Sequence, residues 1–151
     1  MSDYYIKYIW GPGGQDGYPY RNQAGEEKID FAEGQEKAAK RFSECKEFLL
    51  YETGKKGGDN KVGAMTIYAR GTIVSLDVQP VAITHGDEAK RFSYTVKTQL
   101  STRVSPLDGV PLQTIKKIIG IDSIQRPGGL LAITKEQFDV LSSELNKCLK
   151  G

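Results

Sequence analysis

Histidine is nearly missing from this chain: His85 is the sole example among 151 residues, and cysteine occurs only twice, as Cys45 and Cys148. One imidazole and two distant thiols do not make a metal-ligand cluster of known spacing, so neither a metal nor another cofactor is expected. His85 has Asp87 beside it but no cysteine or serine partner, and reads as a surface histidine. Long apolar runs are lacking too, since none approaches the roughly 20 residues that span a bilayer. The N-terminus shows no basic segment followed by an apolar one. Together these set the expectation of a cytoplasmic protein with no membrane partner, whose two cysteines are reduced thiols rather than a bridge. An excess of either charge is also absent: 21 basic side chains face 19 acidic ones, a net charge of +2. That excludes binding to nucleic acid by bulk phosphate neutralisation alone, while leaving room for a local basic patch.

Several nucleotide and catalytic motifs fail. The run Gly11-Pro12-Gly13-Gly14-Gln15-Asp16-Gly17 has aspartate where the dinucleotide fingerprint needs its third glycine. Gly54-Lys55-Lys56-Gly57-Gly58 lacks the order of a phosphate-binding loop, and no serine sits in a nucleophile elbow. One catalytic pattern is present. Asp77 followed by Glu88-Ala89-Lys90 has the residue types of a metal-dependent nuclease, two carboxylates for Mg²⁺ and a lysine to orient water. That chemistry needs the Glu-x-Lys pair on a strand, whereas here it falls in a polar turn beside Gly86. The chain is therefore read as non-catalytic, with the nuclease kept as an alternative.

What the chain has in quantity is aromatic surface near its start. Six of its fourteen aromatic residues, Tyr4, Tyr5, Tyr8, Trp10, Tyr18 and Tyr20, lie in the first twenty positions. Strand alternation puts Tyr4, Ile6, Tyr8 and Trp10 on one face, with the glycine-rich run directly after. An aromatic wall beside a bendable backbone suits a planar ligand such as a nucleobase. The plainer alternative is that these rings fill a core. Basic residues cluster at loop tips and strand ends: Lys55 and Lys56 on a glycine-rich hairpin, Arg103 at the end of a strand, and Arg126 before Pro127-Gly128-Gly129. Lys55, Lys56 and Arg103 are candidates for gripping phosphates.

The pattern along the chain predicts a strand at 4–10, a loop over 11–25, a short helix at 33–41 and a strand at 46–53. A hairpin loop follows, then strands at 62–70, 72–81 and 92–102, with Gly71 separating the first two. Pro111 starts a helix that runs to Ile119 and stops at Gly120. A short strand covers 130–133, and Thr134-Lys135-Glu136-Gln137 forms a capping box for a closing helix with the stripe Phe138, Leu141, Leu145 and Leu149. There is no repeat and no linker, so residues 1–151 are read as a single domain. Long strands with short helices favour an α+β architecture, a curved or closed, mostly antiparallel sheet flanked by helices.

Three stretches carry a family resemblance. They are Phe48 to Gly54 followed by Lys61 to Tyr68, Phe92 to Lys97 followed by Val110 to Lys116, and Arg126 to Leu131 followed by Ala132 to Phe138. From Lys46 onward the chain resembles the EVE domain, one of the PUA-like group that includes the YTH and ASCH domains. The resemblance implies a curved β-barrel flanked by short helices, with an aromatic pocket that reads a modified base extruded from its stack. It implies nucleic acid as the partner, DNA ahead of RNA, and association with restriction or defence machinery such as a partner nuclease. Carried across, the base-binding residues are Tyr8 and Trp10 on the first strand, Tyr51 and Thr53 at the end of the strand before the hairpin, Tyr94 on the long strand, and Arg126 and Gly128 before the closing strand. Trp10 is the principal stacking surface. A protein-protein interaction module using the aromatic N-terminal region is the third reading.

Overall fold

The structure, a computed structural model, describes residues 3–9, 28–32, 35–54, 62–84, 91–120 and 129–149. Within them the order is β1 (Tyr4–Ile9), β2 (Lys28–Ala32), α1 (Glu36–Ser43), β3 (Glu47–Glu52), β4 (Thr66–Thr84) and β5 (Arg91–Arg103). A 3-10 turn (Pro106–Asp108), β6 (Val110–Pro111), α2 (Leu112–Ile119), β7 (Leu130–Ile133) and α3 (Lys135–Lys147) follow. Six of the strands form a path ordered β2-β5-β4-β3-β1-β7, and β6 pairs beside β4. The pairs are antiparallel except for β1 and β3, which run parallel with Tyr4 opposite Glu47 and Ile9 opposite Glu52.

β1 and β3 are buried on both faces, which is why their sequences, Tyr-Tyr-Ile-Lys-Tyr-Ile and Glu-Phe-Leu-Leu-Tyr-Glu, are nearly continuous in apolar residues. Alternation divides them. Tyr5, Ile9, Phe48 and Leu50 join Ile29, Phe31, Tyr68 and Val96 in one core, closed by Ala39 and Phe42 of α1. Ile6, Tyr8, Leu49 and Tyr51 join a second core on the other face, closed by Ile115 of α2 and by Phe138, Leu141 and Leu145 of α3. Helices thus cover both faces of the sheet.

The sheet curls strongly toward the α1 face. β2 and β1 stand four strand-to-strand steps apart, roughly 19 Å in a flat sheet. Yet the Lys7 Nζ lies 4.7 Å from the centre of the Phe31 ring. The curl stops short of a barrel, since among the described residues β2 and β7 remain edges that do not pair with each other.

The 3-10 turn and β6 were not expected from the sequence, Pro111 is the N-cap of α2 rather than its first residue, and β2, α1 and β4 differ as well. β2 falls in a stretch, Lys28–Ala32, to which the pattern assigned no strand. α1 starts three residues later than expected and ends at Ser43. Gly71 does not separate two strands but lies inside the single strand β4, at a bulge in its pairing with β5. A side chain there would meet the Gln99 carbonyl oxygen at 2.7 Å and Phe48 at 2.8 Å, so glycine marks a close approach rather than a break.

Candidate functional site

Strand directions bring several chain ends to one end of the curled sheet. β1 and β3 both finish there, and the Thr53 N–H donates to the Ile9 carbonyl at 2.9 Å, extending their pairing by one residue. β4 and β7, antiparallel to these two, both begin there. Ile9, Thr53, Gly54, Thr66 and Gly129 therefore ring one mouth of the concave face.

Just inside that mouth are the two charged side chains that are buried among the described residues, Lys7 at 4% exposure and Glu52 at 0%. Alternation and register put both on the concave face: Lys7 stands opposite Leu50, and Glu52, two residues on, stands opposite Ile9. The Lys7 ammonium rests over the Phe31 ring, a contact that recovers part of its lost hydration. Burial lowers its pKa from 10.5 to about 8. A Cβ on Gly129 would lie 2.9 Å from that nitrogen, so the absence of a side chain there leaves the amine its space; the backbone at Gly129 also has φ +68°. The Glu52 Oε2 accepts the Ala64 N–H at 2.7 Å and so pins the returning chain to the end of β3. Next to Ala64, Met65 adopts φ 57° and lays its side chain where a Cβ of Gly54 would stand. The sheet thus buries an amine and a carboxyl group on one face just inside the mouth, the amine against the Phe31 ring. Neither residue is singled out by the sequence reading. The available signal was a lysine and a glutamate inside strands otherwise apolar on both faces.

The expected site residues divide into groups. Tyr8 and Tyr51 are brought together as register partners, their rings 5.6 Å apart and edge to face. Both are buried in the core beneath α2 and α3, where burial pushes the Tyr51 phenol up to about 12. Tyr94 is on the opposite face, half-buried against the concave core and paired with Phe31. The three tyrosines therefore do not converge on one cavity. Thr53 is half-buried at the mouth, and Arg103, also half-buried, ends β5 opposite Ala69. Trp10, Lys55, Lys56, Arg126 and Gly128 lie outside the described residues, as do Glu88 and Lys90 of the nuclease pattern, while Asp77 is on β4 opposite Thr95.

A second concavity, about 410 Å³, lies between the 3-10 turn, β6 and the C-terminal end of α3. It is lined by Asp108, Val110, Pro111, Glu144, Lys147 and Cys148. Lys147 is engaged by Glu144 at 2.8 Å. Two carboxylates against one ammonium make this groove a poor seat for a phosphate backbone. Cys45 and Cys148 form no disulfide, and burial raises Cys45 to about 12. Among the described residues no group of three or more His, Cys, Asp and Glu is placed to hold a metal ion, and no helix is long and apolar enough to cross a membrane.

No protein-family model matches this chain, and no curated protein matches it. Solved structures do. The chain is similar in fold to the YTH domain-containing protein mmi1 solved in complex with RNA, at a TM-score of 0.54 and 9% identity over 97% of this chain and 83% of that one. A second crystal structure of the Mmi1 YTH domain with RNA gives a TM-score of 0.53 and 10% identity over 95% of this chain and 80% of that one. A mutant ASCH protein from Zymomonas mobilis aligns at a TM-score of 0.48 and 9% identity, over 95% and 98% of the two chains. The fold is α+β and PUA-like, of the kind seen in YTH domains.

Proposed function

We propose that this chain is a non-catalytic nucleic-acid-binding module of the EVE type, and that it takes one modified base, flipped from its stack, into the concave face of the sheet. The observation that carries this is the combination of a YTH-like fold, seen elsewhere in complexes with RNA, with a concave face that holds a buried amine and a buried carboxylate among aromatic rings. Buried ionisable side chains are enriched at sites of recognition. Trp10, one residue beyond the end of β1, supplies the stacking surface. Lys55, Lys56 and Arg103 grip phosphates, while Arg126 and Gly128, which precede β7 in the sequence, contact the base. The partner is a nucleic acid, and the RNA held in both Mmi1 complexes supports testing RNA beside DNA. A nuclease or restriction subunit is the expected companion, and the cytoplasm the expected compartment.

The test is a titration of labelled single strands, RNA and DNA, carrying methylated, hydroxymethylated or glucosylated bases, at stated salt. One modified strand should bind at least tenfold tighter than its unmodified counterpart. With three phosphate-gripping side chains, the slope of log K against log salt should be about −2. Trp10→Ala should abolish binding and leave the melting temperature within a few degrees. Loss of stability and binding together would return Trp10 to the core, and no binding to any strand would end the proposal.

A further inference from the structure

We infer that the groove between the 3-10 turn, β6 and the C-terminal end of α3 docks a peptide segment of a partner protein, one that carries an arginine beside an apolar residue. The groove belongs to the core opposite the concave face, so the inference stands apart from the base-binding reading. Its walls are built before a guest arrives. In the turn, Pro106 is buried and its carbonyl accepts the Thr66 hydroxyl proton. Gly109 passes so close to β4 that a Cβ there would collide with the Ile67 carbonyl oxygen and the Thr66 side chain. On the other wall, Leu141 and Leu145 anchor α3 in the core, and the Cys148 N–H donates to the Leu145 carbonyl at 2.9 Å. The lining then defines the guest. Asp108 and Glu144 come from opposite walls. Glu144 already holds Lys147 at 2.8 Å, whereas Asp108 has no ion-pair partner among the described residues. The carboxylates outnumber the ammonium, so a guest cation completes the charge balance and an acidic guest is repelled. Arginine suits the place better than lysine: its planar fork meets both oxygens of one carboxylate, and its stem packs on apolar surface such as Pro111. Leu107 and Leu149, next in the chain to Asp108 and Cys148, are 59% and 51% exposed. They carry the apolar surface past the groove on both walls, beyond what a free amino acid covers. Pro111 has no N–H to give a guest strand, so side chains rather than backbone pairing do the reading.

The experiment screens the full chain against random short peptides displayed on phage, then measures the enriched sequences as labelled synthetic peptides by fluorescence anisotropy. Enriched peptides should carry arginine beside a leucine, valine or aromatic residue. Replacing that arginine by glutamate, or introducing Asp108→Lys in the protein, should each weaken binding roughly tenfold, and added salt should weaken it too. Circular dichroism shows whether the variant folds. On the unaltered protein, the backbone-amide shifts caused by a selected peptide should centre on Asp108, Val110, Glu144 and Cys148. No enrichment, enriched peptides that are acidic or indifferent to charge, equal binding by folded Asp108→Lys, or shifts centred elsewhere overturns the inference. Arginine methyl ester binding as tightly as the peptides would make this a small-molecule site and overturn it as well. So would self-association of the chain that Asp108→Lys abolishes, since the occupant would then be a second copy. None of these outcomes bears on the oligonucleotide titration, which tests the base-binding reading by itself.

Discussion

Lys7 is the residue on which most of this account turns, and its burial has a measurable consequence for stability. In the unfolded chain its amine keeps the ordinary value of 10.5, while the folded state holds it at about 8. Below about pH 8 both states are protonated and the full burial cost opposes folding. Between pH 8 and 10.5 the unfolded state binds more protons, so raising the pH through this window favours folding, by an amount on the order of 3 kcal/mol. Cys45 and Tyr51, both pushed up to about 12, act in the opposite sense at higher pH, because their unfolded forms lose protons first. Chemical denaturation of the wild type and Lys7→Met from pH 7 to pH 11 isolates the lysine. The stability of the wild type relative to the variant should rise with pH and level off; parallel curves would show that the amine is not desolvated. The sequence concealed this residue for a physical reason. Where both faces of a strand are buried, alternation carries no inward-outward signal, and a lysine reads as though it pointed to solvent. The tyrosines misled in the converse way. Tyr8 and Tyr51 sit in register and in contact, but beneath α2 and α3 rather than beside Tyr94.

At the scale of elements, the end of α2 and the start of α3 were legible because their signals are local. Thr134 Oγ1 accepts the Gln137 N–H at 3.1 Å, and the Gln137 side chain accepts the Thr134 N–H at 3.0 Å. Gly120 ends α2 in the left-handed conformation, at φ 77°. Thr134→Ala should cost about 1 kcal/mol, read as a lower midpoint of urea denaturation with an unchanged slope. The stripe of α3 holds through Phe138, Leu141 and Leu145, but Leu149 lies past the helix end and is exposed. Strand boundaries were less legible, because a glycine that breaks a strand and a glycine that lets two backbones approach look alike in sequence. Gly71 is of the second kind. Gly71→Ala drives a methyl against the fixed Gln99 carbonyl and should destabilise by roughly 2 kcal/mol; a stable variant would show that β4 and β5 can separate at the bulge.

On the scale of the whole molecule, the α+β class and the PUA-like curvature followed from the order of strands and helices and from the family resemblance. The parallel β1–β3 pair and the return of β2 over β1 did not. Both depend on contacts between distant parts of the chain, of which Phe31 over Lys7 is the clearest. That return creates the concave face, and the acidic groove between β6 and α3 lies on the opposite core. The most direct measurement is a backbone-amide NMR titration of the protein with its tightest-binding oligonucleotide. The account predicts that the largest shifts fall on Lys7, Ile9, Phe31, Glu52, Ala64 and Gly129, with α3 little changed. Shifts confined to Asp108, Val110, Glu144 and Lys147, with the concave face silent, would contradict it.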